Sequence, residues 1–335
     1  SKFHGKIERD WWLSSFSALS RNLRHGGVST PDRDTDNIVT AEPNTTDKQP
    51  LLRFKLAKGA HSGNLLHDIL EHSDFVLCAS NQSLWQECIN WPLINYGELT
   101  DGFSENDLIA WLAQIIQTPL ISTNELHKIQ PTPFCLADIA ITATLRESEF
   151  YFPMKQASVN SLTILLTDHR KQYYRDKTKA CNNKTPFNKI SPVRLPSYQS
   201  LKGMMHGFID LVFEQDGKYY VCDYKSSHLG NHFSDYHSDA LHQDIEKNYY
   251  DLQYLIYSLA LHRYLQQNLP NYQVEQHFGG IYYLYLRGMT NAKDHIGSGI
   301  YYRSISKDEL LALDNIFLGE PCLVTESLAV ENNNA

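Results

Sequence analysis

Two aspartates and a lysine, Asp210, Asp223 and Lys225, follow one another at intervals of thirteen and two residues. They lie in the stretch GFIDLVFEQDGKYYVCDYKSS, residues 207–227, where two apolar, β-rich runs flank Asp216-Gly217. An Asp-Gly pair between alternating hydrophobic residues is a strong hairpin signal. With Asp216 and Gly217 as the loop, the cross-strand partners are Gln215 with Lys218, Val212 with Val221, and Asp210 with Asp223. Directly opposed residues have Cβ atoms about 4.5–5.5 Å apart, and like charges there destabilise a sheet, so something must offset the repulsion. Period-two alternation puts Lys225 on the face of Asp223, while Tyr220, Cys222 and Tyr224 point the other way. Two close carboxylates suit a hard cation such as Mg²⁺, which takes oxygen ligands and keeps waters and phosphate oxygens in its remaining positions. An ammonium beside them can steady a hydroxide or the charge growing on a phosphate, so the set points to phosphodiester hydrolysis. A lone Asp-x-Lys would read as a surface charge pair, which is common and weak. The register match with Asp210 argues against that reading.

In order along the chain, Asp210, then Asp223-Tyr224-Lys225, then Gln253-x-x-x-Tyr257 resemble the RecB-type nuclease domains of the PD-(D/E)xK superfamily. The likeness is strongest to the C-terminal nuclease domains of exodeoxyribonuclease V β subunits, through GFIDLVF, DYKSS, YDLQYLIYSLALHRYL and HFGGIYYLYLRG. The resemblance implies an α/β fold of the restriction-endonuclease-like kind, with a mixed central sheet flanked by helices. It implies DNA as substrate, 5′-phosphate and 3′-hydroxyl products, and Mg²⁺ as cofactor, with Mn²⁺ as a substitute and Ca²⁺ able to bind. The metal ligands it implies are His67, Asp210, Asp223 and the Tyr224 carbonyl, with Lys225 at the water or the developing charge. His67 is carried over because G-x-x-x-H-x-x-x-E, ending at Glu71, matches the helix that supplies the family's metal-binding histidine; Glu71 itself orients or packs. An acidic residue on the strand before the hairpin is best matched by Glu147, with Glu149 as the alternative. Gln253 and Tyr257 are expected to touch DNA or support the site. The proline that often precedes the first aspartate is Ile209 here, as in RecB-like members. Implied partners are single-stranded and linear duplex DNA, RecC-like and RecD-like subunits and a RecA-type recombinase. The work implied is double-strand-break repair and degradation of linear DNA in a bacterial cytoplasm.

Composition sets bounds around this site. The chain has 335 residues, enough to bury a large core, and ordinary globular hydrophobic and charged fractions of 42% and 20%. Its apolar runs are too short to span a bilayer and the N-terminus has no signal-peptide pattern, so a cytoplasmic location without membrane contact is expected. The six cysteines form no Cys-x-x-Cys pair and read as reduced, which leaves no iron–sulfur cluster. The net charge of −8 excludes a generally basic DNA coat but not a nuclease. Residues 168–202 run the other way, with nine Lys or Arg against two Asp. This basic insert, taken as 155–202, is either a track for a phosphate backbone or a solvated loop.

The elements that position the site are legible in outline. Residues 1–28 read as an N-terminal helical segment with a serine-capped helix near Trp11, and 29–50 as a flexible linker rich in Asp, Thr, Asn and Pro. The nuclease domain is expected over 51–328, with a disordered tail at 329–335. A helix capped by Ser62 or Asn64 buries Leu66, Ile69 and Leu70, and residues 104–120 form a structural helix from a Ser-x-x-Asp start. Residues 142–154 alternate toward an aromatic strand with Glu147 and Glu149 on one face; 202–207 read as a flexible, glycine-containing approach to the hairpin. A helix over 249–264 and a final strand over 278–287 complete the set.

No G-x-x-x-x-G-K-[ST] motif occurs, so an ATP motor would lie elsewhere. The start at Ser1 reads as a domain excised from a longer protein, with a stand-alone nuclease as the alternative. Two rivals remain: a nuclease fold kept only for docking partners or DNA, and a site-specific restriction-type endonuclease. Presence of Asp210, Asp223 and Lys225 together weighs against the first.

Overall fold

The hairpin at the centre forms as its turn chemistry demands. Asp216 and Gly217 both have positive φ, +52° and +76°, the conformation a two-residue type I′ loop requires. The flanking strands β3 (Ser200–Gln215) and β4 (Lys218–Lys225) pair antiparallel with Gln215 opposite Lys218 and Val212 opposite Val221. The computed structural model describes residues 12–15, 51–97, 99–121, 133–181, 192–195 and 200–320. The N-terminal strand β1 (Trp12–Ser15) and β2 (Thr144–Ser158) flank β3, and β5 (Phe278–Tyr285) and β6 (Ile300–Arg303) extend the sheet beyond β4. The strand order is β1-β3-β4-β5-β6, with β2 also on β3. β1 with β3 and β4 with β5 are parallel; the other pairs are antiparallel, so the sheet is mixed.

Helices cover both faces. On one side lie α1 (Leu52–Lys55), α2 (Ala60–His72), α3 (Phe75–Ser80), α4 (Leu84–Tyr96) and α5 (Glu105–Ile116). On the other lie α6 (Val159–Cys181), α7 (Ser238–Asn248), α8 (Tyr250–Asn268) and α10 (Lys307–Leu318), with the short α9 (Val274–His277) leading into β5. The strands feed two cores by alternation. Val221, Ile281, Tyr283 and Tyr285 join the α6–α8–α10 core, whereas Cys222, Tyr224, Tyr282 and Leu284 join the α2–α5 core. Each fully buried leucine of α8 contributes about 1.5–3 kcal/mol by leaving water. α5 starts where its sequence predicts, on a capping box between Ser104 and Asp107.

Several expectations need correction. Trp12–Ser15 is a strand, not a helix, because the edge of β3 from Gly203 to His206 offers it a ladder and Trp suits a pleated surface. α2 begins at Ala60 behind Gly59, whose φ of +109° only glycine adopts readily, so neither Ser62 nor Asn64 is its cap. Residues 202–207 are strand, in the first half of β3, rather than a flexible approach, with Gly203 at φ +135° where the register against β2 shifts. The basic insert contains the end of β2 and the 23-residue α6, which buries Leu162, Leu166 and Tyr173. Part of its positive charge is consumed internally, since Arg170 is buried against Asp251 and Lys171 pairs with Asp168. The strand over 278–285 is not the last element, because β6 and α10 follow. The expected linker 29–50 and the tail 329–335 lie outside the described residues, as do 16–28. Among the described residues no helix is long and apolar enough to cross a membrane, and Cys78, Cys88, Cys135 and Cys222 are free thiols.

Candidate active site

The site forms where β2, β3 and β4 meet α2 and α8. The β3–β4 ladder ends at Leu211 and Cys222, so Asp210 and Asp223 occupy the next step, beyond the last pair. The β2–β3 ladder skips one step here too: Arg146 pairs Leu211 and Ser148 pairs Ile209, leaving Glu147 and Asp210 unladdered between them. Glu147 has φ of +43°, a left-handed conformation uncommon for a residue with a Cβ. The local departure brings its carboxylate to Asp210 and His67: one ligand atom from each of the three lies within 4.8 Å of the others.

His67 comes from the buried side of α2, with Nδ1 3.4 Å from Asp210 Oδ2, and its ring meets that of Tyr224 edge-on at 5.8 Å. The Tyr224 backbone N–H donates to Asp210 Oδ2 at 2.7 Å, so the hairpin itself aims the aspartate. Burial pushes the Asp210 carboxyl upward, but His67, the Tyr224 N–H and Lys225 outweigh it and hold the group below its ordinary value. Arg146, beside Glu147, donates to the carbonyls of Leu70, Glu71 and Ser73 and caps the C-terminus of α2. That joins the strand carrying Glu147 to the helix carrying His67.

Asp223 and Lys225 form a second group. Lys225 Nζ is 2.7 Å from Asp223 Oδ2, with both side chains 4% exposed. The ammonium sits 4.0 Å from the Tyr250 ring centroid and 5.0 Å from that of Tyr283. It donates to Gln253 Oε1 at 3.3 Å, Tyr283 Oη donates to the same oxygen at 2.8 Å, and Gln253 Nε2 donates to Tyr257 Oη at 3.0 Å. Gln253 and Tyr257, 2% and 1% exposed, thus lie behind the lysine, Gln253 bonded to it and Tyr257 to Gln253. Gly207 makes room for this packing, since a Cβ there would meet Phe150 Cζ at 2.8 Å, and Phe150 packs edge-on against Tyr257.

Of the sequence-predicted residues, His67, Glu147 and Asp210 are gathered into one donor set, and Asp223 with Lys225 into its neighbour. Asp223 is not within that donor set; its Oδ2 lies 2.7 Å from the Lys225 ammonium. Glu147 and Glu149 do not share surroundings: Glu149 accepts from Tyr151 Oη and His206 Nε2 on an exposed part of the sheet. Glu71 lies outside the donor set as well, close to Asp68 and His72. Tyr250, Tyr283 and Arg146 were missed. The alternation of β5 could have flagged Tyr283, whereas Arg146 acts across 75 residues of sequence, where no local pattern shows it.

The segment after Lys225 is fastened by the buried Arg287. Its guanidinium donates to the carbonyls of Ser226 at 2.7 Å and of Arg53, Leu56 and Ala57 at 2.9 Å each. Arg53 in turn donates to Met289 O and to Gln114 Oε1.

The family model for the PD-(D/E)XK nuclease superfamily matches residues 146–316, from the strand of Glu147 to the last helix. The chain belongs to the PD-(D/E)XK nuclease superfamily. This superfamily member is 31% identical over 330 residues to the RecBCD enzyme subunit RecB of Haemophilus influenzae, covering 95% of this chain and 24% of that protein. It is 30% identical over 316 residues to RecB of Escherichia coli, covering 92% and 23%. With RecB of Mycobacterium tuberculosis it shares 26% over 312 residues, covering 89% and 27%. The chain therefore spans about a quarter of the length of these relatives. Superfamily nucleases generally use divalent metals, and the donors fit one: two carboxylates and an imidazole, preset by Tyr224 and Arg146, make a hard, oxygen-rich set.

Proposed function

We propose that this chain is a divalent-metal-dependent nuclease domain that hydrolyses DNA phosphodiester bonds. The observation that carries the reading is the joining of two groups around one hairpin: a His67–Glu147–Asp210 donor set and, next to it, a buried Lys225 with its ammonium 2.7 Å from Asp223 Oδ2. A Mg²⁺ or Mn²⁺ ion there would supply charge neutralisation at a phosphate and a lowered pKa for a water. His67, Glu147 and Asp210 would hold it, with Asp223 and the Tyr224 carbonyl available as further oxygen donors. Lys225, fixed by Gln253 and two tyrosine rings, stabilises charge growing on the phosphate without any reorganisation.

The likeness to RecB subunits supports a more specific reading: the nuclease part of a RecBCD-type helicase–nuclease, of exodeoxyribonuclease V type. It works with RecC-like and RecD-like subunits and a RecA-type recombinase, on single strands and linear duplex ends in a bacterial cytoplasm. The test is degradation of single-stranded and linear duplex DNA in Mg²⁺, beside EDTA, Asp210→Asn and Glu147→Gln. Cleavage lost in all three supports the site, and the end groups give the polarity. A folded wild-type chain that binds DNA or a RecC-like subunit but cuts nothing in Mg²⁺ or Mn²⁺ would make it a docking module instead.

A further inference from the structure

Beyond the donor set, the sheet carries an open aromatic strip that the proposed chemistry does not use. Along β2 and β3 one face is buried and the other is not: Phe152, Met154, Met205 and Ile209 enter the core, while Glu149, Tyr151, Pro153 and Phe208 are exposed. Ladder pairs place Glu149 opposite Phe208 and Tyr151 opposite His206. Tyr151, 53% exposed, stacks on His206 with ring centroids 4.4 Å apart and planes at 16°; His206 meets Phe208, 38% exposed, edge-on at 5.2 Å. Two residues along a strand advance about 6.6 Å, so Phe208 lies about one such step from Asp210 and His206 about two. In the other direction the same face leads past Pro153 and Met204 to Lys202 and to Lys155, which is exposed where the β2–β3 register shifts.

We propose that Tyr151, His206 and Phe208 form a stacking platform for the unpaired bases of a single DNA strand leading into the active site. The proposal rests on the nuclease reading and names the form of its substrate. Three observations converge on that occupant. Exposed ring faces are matched by exposed base faces, which a duplex hides within its own stack. Lysines at the far end suit a phosphate backbone arriving there. The strip is continuous, on the same strands, with the acids that would face the scissile phosphate. The His206 ring braces Tyr151, and Glu149 bonds both His206 and the Tyr151 hydroxyl, so the platform is ordered before any strand arrives.

The test is binding of a short fluorescent oligothymidylate, measured by anisotropy in EDTA so that no cleavage is needed. The comparisons are an abasic oligonucleotide and a duplex, each of the same length. Tyr151→Ala and Phe208→Ala should each weaken oligothymidylate binding about 5-fold to 150-fold, the range for loss of one base–aromatic stack. Tyr151→Phe should bind as wild type, and the abasic oligonucleotide should bind weakly and alike to all. Equal losses on the abasic strand, unchanged oligothymidylate binding in both alanine variants, or tighter binding of duplex would overturn the platform. No binding of any oligonucleotide would overturn it too, and leave the face to a protein partner. Because binding is read in EDTA, a catalytically dead chain with intact stacking would sink the nuclease reading alone, and an active chain with insensitive binding would sink the platform alone.

Discussion

Replacing Lys225 with methionine, which keeps most of the stem volume, isolates the buried ion pair. Its ammonium is 2.7 Å from Asp223 Oδ2, and each side chain is 4% exposed. At an effective dielectric of about 20, two charges so placed attract by about 6 kcal/mol, most of which offsets the cost of taking both from water. Removing only one partner leaves the desolvation of the other unopposed, and costs about 3–5 kcal/mol. Lys225→Met should therefore lose about that much in urea unfolding at neutral pH, or about 4–7 °C in Tm for a chain of this length. Asp223→Asn should lose a similar amount. The double variant should lose less than the sum, with a coupling energy of about 1–3 kcal/mol, yet show no cleavage. The double variant thereby separates folding from chemistry, which neither single variant does. Lys225→Met within about 0.5 kcal/mol of wild type, or additive losses, would refute the argument that this pair is dry and mutually dependent.

Two more expectations follow from the site and the core. Thermal melts should rise with Mn²⁺ or Mg²⁺, by about 2.7 kcal/mol of stability at a hundredfold excess over Kd; Asp210→Asn and Glu147→Gln should abolish the rise and Glu149→Gln should keep it, and the reverse pattern would assign the acid to Glu149. Burial, as the largest cause, holds His242 and His262 below their ordinary value of 6.5. Unfolding lets them protonate near that value, so the unfolded chain binds more protons and stability is lost as pH falls below about 6.5, by up to about 1.4 kcal/mol per pH unit for each histidine. Urea midpoints that hold steady between about pH 7 and about pH 5.5 would contradict this.

Where local chemistry decides the structure, the sequence was a sufficient guide. The Asp216-Gly217 loop set a register that placed Asp210 and Asp223 on the same step, and Ser104 with Asp107 set the start of α5. Where distant partners decide, it was not. Trp12–Ser15 becomes a strand only because β3 offers an edge. Arg170 looks like surface charge until Asp251 comes to it from α8, 81 residues on. Strict alternation put Glu147 and Glu149 on one face, and the left-handed backbone at Glu147 that separates them has no signature in residue type.

The Arg287 clasp bears on how the molecule is made as well as on how it stands. Its bonds to Arg53, Leu56 and Ala57 close loops of more than two hundred residues, as does the return bond from Arg53 to Met289. Such closures lose more chain entropy than local ones and slow folding. Lys225 is followed at once by Ser226, whose carbonyl waits for the same guanidinium. A growing chain therefore cannot complete the surroundings of its lysine until the strand before Arg287 has been synthesised and docked, so the hydrolytic centre matures late, after nearly all of the sheet exists.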